Sequence, residues 1–274
     1  MNPLGIERLG VFGMPPVEFI ALAADLGCDF VGIGLAPSGD FNPHGYPQWS
    51  LRDDGALRRE TRAALADTGV GIGIVEGFAV VPGHDPRAFA GDLDLVAELY
   101  GGRINAVSLD KDIGRTIEGF AILAELAGER GLLMGIEMGS LGPIGQVEPA
   151  LAVCRGVGLP NLSLLIDAMH FFRLGNTVAD LKTLPPELVG YAQLCDAPWQ
   201  ARFETYMEEA MYERLAPGDG EMPLAGFLDA LPAGTPVSLE IPMRERALSG
   251  ASARERLEPS VIAARALLAR NRAT

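Results

Sequence analysis

The chain has 274 residues, 48% of them hydrophobic and 21% charged, with a formal net charge of −14. That composition suits a soluble globular protein with one large core, and its acidity argues against non-specific binding to nucleic-acid phosphates. No apolar run approaches the roughly 18 residues of a membrane span, and the start, Met1-Asn2-Pro3-Leu4-Gly5, lacks the basic and apolar stretches of a signal peptide. Three cysteines, Cys28, Cys154 and Cys195, are odd in number and lack metal-motif spacing, which predicts a reduced, cytoplasmic setting.

Apolar runs of strand length alternate with helical patterns along the chain. A weak strand is expected near 8–12, and stronger ones near 30–35, 70–75, 104–109, 132–137, 162–167, 190–195 and 236–241. The first helix opens at Pro15-Pro16, shows its apolar face at Phe19, Ile20, Leu22, Ala23 and Leu26, and stops at Gly27. Further helices are expected near 55–67, 86–100, 115–130, 146–156, 178–183, 224–231 and 252–270. Eight strand–helix units of about 34 residues each predict a parallel sheet closed into a single α/β barrel, a (β/α)8 TIM barrel spanning 1–274. An open doubly wound sheet would carry a Gly-rich turn after its first strand, and no G-x-G-x-x-G or P-loop is present.

Two segments break the rhythm. Residues 36–52 and 196–222 are long loops after the second and seventh strands, where a barrel builds its catalytic mouth. The first holds Phe41, His44, Tyr46 and Trp49, of which His44 and Trp49 are candidate substrate contacts. The aromatics are equally explained by loop packing.

Glu137, Asp167, Gln193 and Glu240 each lie at or near the end of a strand-like run, in Leu132-Leu133-Met134-Gly135-Ile136-Glu137, Leu162-Ser163-Leu164-Leu165-Ile166-Asp167, Tyr191-Ala192-Gln193-Leu194-Cys195 and Pro236-Val237-Ser238-Leu239-Glu240. A buried acid is costly unless it is paired. One strand-end acid can cap a helix or meet an arginine, but four oxygen-bearing side chains on successive strands predict a metal site. The all-oxygen set suits Mn²⁺ or Mg²⁺, with Co²⁺ also open. His170, three residues after Asp167, and Arg173 are placed to face the mouth, His170 near the reacting atoms and Arg173 on a substrate anion. Glu76 on the third strand, and Asp196 and Arg214 after the seventh, are further substrate-binding candidates, while His84, Asp110 and Lys111 carry less information.

The segments Ile136-Glu137-Met138, Leu165-Ile166-Asp167-Ala168-Met169-His170, Gln193-Leu194-Cys195-Asp196-Ala197-Pro198, Pro217-Gly218-Asp219-Gly220-Glu221 and Leu239-Glu240-Ile241-Pro242 resemble the sugar phosphate isomerase/epimerase family of xylose-isomerase-like barrels. The resemblance covers most of the chain and is most specific from 132 to 242. It implies that Glu137, Asp167 and Glu240 are metal carboxylates and that His170 contacts substrate. It also implies that Glu137 and Glu240 can move protons on opposite faces of a ketose. Ketose epimerases of the family carry histidine where this chain has Gln193; glutamine there resembles 3-dehydroshikimate dehydratases of the same superfamily.

The expected function is therefore a divalent-metal-dependent isomerase or epimerase acting through an enolate on a small polyhydroxylated carbonyl substrate, with Glu137, Glu240 and His170 as catalytic residues. A dehydratase-like lyase is the alternative, and a non-catalytic barrel or the subunit of a larger enzyme a second one. Neither a nucleic acid nor a membrane is an expected partner, and a homo-oligomer is compatible with the sequence.

Overall fold

The computed structural model describes residues 2–139 and 141–270. Eight parallel strands close on themselves in chain order: β1 (Leu4–Glu7), β2 (Phe30–Gly34), β3 (Gly71–Val80), β4 (Arg103–Ser108), β5 (Leu133–Glu137), β6 (Leu162–Asp167), β7 (Val189–Leu194) and β8 (Val237–Leu239). Closure is made by β1 pairing with both β2 and β8. The helices are α1 (Pro16–Asp25), α2 (Gly55–Thr68), α3 (Ala90–Leu99), α4 (Ile113–Gly128), α5 (Val147–Val157), α6 (Ala168–Arg173), α7 (Val178–Leu181), α8 (Tyr206–Tyr212), α9 (Leu224–Ala230), α10 (Arg244–Leu248) and α11 (Ala253–Arg270).

The strands read as near-continuous apolar runs because both of their faces are buried. Outward residues such as Val31, Ile33, Ile104, Ile136, Leu164 and Leu194 pack under the helices in the main core. Phe30, Ile74, Leu165 and Tyr191 form a second, smaller cluster. The Phe30 ring lies so close to Gly5 and Gly73 that a Cβ at either would overlap it. Local signals set the helix ends. The Asp54 carboxylate caps α2 by accepting from the Ala56 and Leu57 N–H groups, Gly69 closes it with φ of 73°, and Asp112 caps α4.

Three expectations need correction. The first strand is Leu4–Glu7, not 8–12, and Arg8–Val11 is a 3-10 turn. The strand is only four residues long, Leu4-Gly5-Ile6-Glu7, with Leu4 and Ile6 as its apolar signal, which is too short a run to stand out. β3 runs ten residues to Val80, so Glu76 lies within the strand and not at its end. The segment 196–222 is not loop throughout: Thr205 caps α8 inside it. A short helix, α6, also begins at once after β6, with Asp167 as its cap. The cysteines are buried and free. Among the described residues no helix is long and apolar enough to cross a membrane.

Candidate active site

Side chains alternate along a strand, so Glu7, Asn105, Glu137, Asp167, Gln193 and Glu240 all project into the barrel at its C-terminal end. Above them opens a cavity of about 320 Å³. Its polar lining includes Arg8, Glu76, Asn105, Glu137, His170, Arg214 and Glu240, with Ser38, Ser108 and Tyr206; Leu9, Phe78, Val107, Leu141, Ile144, Met207 and Met211 supply much of the rest.

Arg214 is the hub of the charges. Its Nη1 lies 2.7 Å from Asp167 Oδ2 and 2.9 Å from Glu240 Oε2, and its Nε donates to the Ala210 carbonyl at 2.9 Å. Burial pushes the Asp167 carboxyl up, but Arg214 and the neighbouring His170 outweigh it and hold the group below the usual carboxylate range. Glu240 goes the other way: burial, aided by Glu76, Asp167 and Glu137, lifts it well above the ordinary value despite Arg214. Asp167 Oδ1 accepts from the His170 backbone N–H at 2.8 Å, which starts α6.

Glu137 is held from two sides. Asn105 Nδ2 donates to Oε2 at 2.7 Å, and His170 Nε2 lies 3.2 Å from Oε1. His170 Nδ1 meets the Tyr206 hydroxyl at 2.6 Å. On the far wall Arg8 Nε donates to Glu76 Oε2 at 2.6 Å. The Gln193 amide nitrogen lies 3.4 Å from both Glu76 Oε1 and Glu240 Oε1, while its carbonyl oxygen is buried without a hydrogen-bond partner.

Below this layer Glu7 is fully buried. Tyr191 donates its hydroxyl to Oε1 at 2.7 Å, and Oε2 has no hydrogen-bond partner. Burial, with the nearby Glu76 charge, pushes Glu7 up to about 8, in the direction of the neutral acid.

The donor set has the chemistry of a divalent-cation site. Three carboxylates and an amide oxygen suit a hard ion, and the orphaned Gln193 Oε1 is a buried acceptor that lacks a partner. Arg8 serves Glu76, and Arg214 is shared by Asp167 and Glu240, while Glu137 has no guanidinium partner, so with all four acids ionised two negative charges are left over. A dication would balance that remainder. Among the described residues His, Cys, Asp and Glu are not drawn into a ready-made cluster of three; Arg214 lies between Asp167 and Glu240, and each carboxylate oxygen it touches keeps a second lone pair.

Four sequence candidates lie elsewhere. Arg173 points to Glu209, with 2.7 and 2.8 Å bonds, and to the carbonyls of Pro198 and Trp199, so it fastens the segment after β7. Asp196 accepts from the N–H groups of Ala197, Gly218 and Met222 and shapes the same segment. His44 Nε2 meets the buried Arg256, and Trp49 Nε1 donates to the Gly13 carbonyl. None of the four lines the cavity. Glu7, Arg8, Asn105 and Tyr206 were missed. For Asn105 the signal was a lone amide in the run Arg103-Ile104-Asn105-Ala106-Val107; for Tyr206 there was none, since its loop had no readable place.

A family model described as xylose isomerase-like TIM barrel matches residues 20–263. A 3-dehydroshikimate dehydratase of Pseudomonas putida is 27% identical over 217 residues, which is 70% of this chain and 34% of that protein. The chain thus spans about a third of the length of that curated relative. Among solved structures, the IolI protein with a bound zinc atom superposes with a TM-score of 0.79 at 16% identity, covering 98% of this chain and 99% of that one. D-psicose 3-epimerase in the presence of D-fructose gives 0.73 at 17% identity, covering 97% and 99%. Identities this low speak for a shared fold.

Proposed function

The chain belongs to the xylose isomerase-like TIM barrel family, and from that premise we propose that it is a metal-dependent lyase removing water from a small cyclic hydroxylated ketone. One observation carries the choice of lyase. Outside the charged cluster the cavity wall is mostly apolar, with Leu9, Phe78, Val107, Leu141, Ile144, Met207 and Met211 outnumbering the polar Ser38, Ser108 and Tyr206. A fully hydroxylated ketose would leave hydroxyls unpaired against these side chains, at about 1–3 kcal/mol each. A ring with hydroxyls along one edge loses less. The dehydratase name of the P. putida relative supports the same choice.

Glu137, Asp167, Gln193 and Glu240 would hold the cation. A bound divalent ion polarises a carbonyl and favours loss of the adjacent proton. The remaining work falls to side chains. Asn105 and His170 orient Glu137, whose Oε1 takes the proton beside the carbonyl. Glu137 then passes that proton to the departing hydroxyl, which leaves as water, and the carboxylate is restored; His170 Nε2–H, 3.2 Å away, steadies Oε1 throughout. Tyr206, Met207 and Met211 of α8 line the cavity from one side and limit its water.

An epimerase is the second reading. Glu137 and Glu240 reach one cavity from β5 and the end of β8, which supports proton transfer on two faces of a substrate. Proton NMR in D₂O with Mg²⁺, on ketoses, their phosphates, cyclitol ketones and 3-dehydroshikimate, separates the readings. New vinyl or aromatic signals with loss of water are expected. Deuterium beside the carbonyl with isomer formation would replace the lyase by the epimerase, and no reaction across the panel would count against both.

A further inference from the structure

His170 is engaged at both ring nitrogens and is only 8% exposed. Nε2 faces Glu137 Oε1 at 3.2 Å and Nδ1 faces the Tyr206 hydroxyl at 2.6 Å. The His170 and Tyr206 rings are stacked, with centroids 5.4 Å apart and planes 30° from parallel. Asp167 Oδ1 is 3.9 Å from Nδ1, beyond hydrogen-bond reach, and is already taken by the His170 backbone N–H.

An ionised carboxylate only accepts, so the nitrogen facing Glu137 must carry a hydrogen. In a neutral imidazole the other nitrogen then holds a lone pair. The Tyr206 hydroxyl is the group in reach to donate to it.

We propose that Tyr206 is a positioning residue: its hydroxyl donates to His170 Nδ1, fixes the imidazole as the Nε2–H tautomer aimed at Glu137, and so ties the competence of His170 to the seating of α8. That helix is held from three sides. Arg173 grips Glu209, Arg214 Nε binds the Ala210 carbonyl, and Arg244 Nη2 donates to Glu208 at 2.9 Å. The segment between β7 and β8 therefore does more than wall the cavity. It selects which nitrogen of a histidine on α6 carries the proton. A partner on the remote nitrogen is a common means of fixing a histidine's tautomer and ring orientation.

The catalytic consequence rests on the proposed use of Glu137 and His170; the tautomer does not. Long-range proton–nitrogen correlation spectra of the ¹⁵N-labelled full chain test it directly. The chain has three histidines, and His170 is assigned by its loss in His170→Asn. Spectra are recorded at one pH, without added metal and with Mg²⁺. The wild type should show a protonated Nε2 and an unprotonated Nδ1 at His170 in both states. Tyr206→Phe should move both signals toward averaged positions with its circular dichroism unchanged. An Nδ1–H tautomer or an imidazolium in the wild type would overturn the proposal, whatever the variant does, and so would an unaltered pattern in Tyr206→Phe. If the wild type turns over no substrate but shows the expected tautomer, the functional reading fails and the positioning role stands. If turnover is found, Tyr206→Phe should lower kcat far more than it raises KM.

Discussion

Gly32 lies opposite Glu7 on the β1–β2 ladder with no room for a methyl group: a Cβ there would overlap Glu7 Oε2. Here glycine is needed for a neighbour's volume, because a carboxyl fills the barrel at that level. Gly32→Ala should cost about 3 kcal/mol or more, at the upper end of overpacking effects. Adding Glu7→Ser should recover part of the loss. Urea unfolding of both single variants and the double variant would show strong non-additivity; simple addition would mean that the two residues do not compete for space.

Glu7 also sets a pH dependence. Its folded value of about 8 lies above the ordinary 4.5, so the folded state keeps a proton that the unfolded chain gives up. Stability from this group is greatest below pH 4.5 and is lost as pH rises toward 8, by about 1 kcal/mol per pH unit. Glu7→Gln stays neutral throughout. The gap in unfolding free energy between variant and wild type should therefore grow in the variant's favour from pH 5 to pH 8; a constant gap would show that Glu7 is ionised in the fold.

Arg214 is shared between Asp167 and Glu240 inside the protein, where all three are nearly inaccessible. Arg214→Met leaves both acids facing each other. A loss of about 3–5 kcal/mol is expected without metal. Mg²⁺ or Mn²⁺ should raise the Tm of the variant more than that of the wild type, because a cation can take over the vacated role. Equal shifts in both proteins would argue against metal binding by these carboxylates.

Glu137→Gln keeps the side-chain size but cannot accept the substrate proton. A drop of about 10²–10⁴-fold in kcat/KM is expected, with Tm nearly unchanged. Full activity would remove Glu137 as the base.

Arg173→Ala tests the clamp on α8. The bonds to Glu209 and to the carbonyls of Pro198 and Trp199 all disappear. Amide hydrogen exchange should rise across 206–212 while the barrel strands stay protected. Unchanged protection of α8 would mean that Arg214 and Arg244 hold it unaided.

The barrel was legible in the chain because burial on both faces imposes apolar runs, and parallel pairing imposes a helix between each pair of runs. For the same reason Glu137, Asp167, Gln193 and Glu240 stood out: a polar group closing an apolar run is visible without coordinates. Only the tertiary structure decided what surrounds them. Arg214, expected near substrate, is tied to Asp167 and Glu240, and Arg173, read as an anion contact, fastens a loop to Glu209. Long flexible side chains can reach many partners, so their position in sequence does not choose one. Glu7 was hidden by a misplaced first strand, and Tyr206 by a segment with no apolar period. Local periodicity records which face of an element is buried. The contacts of a loop side chain depend on how distant elements meet in space, and no local pattern carries that.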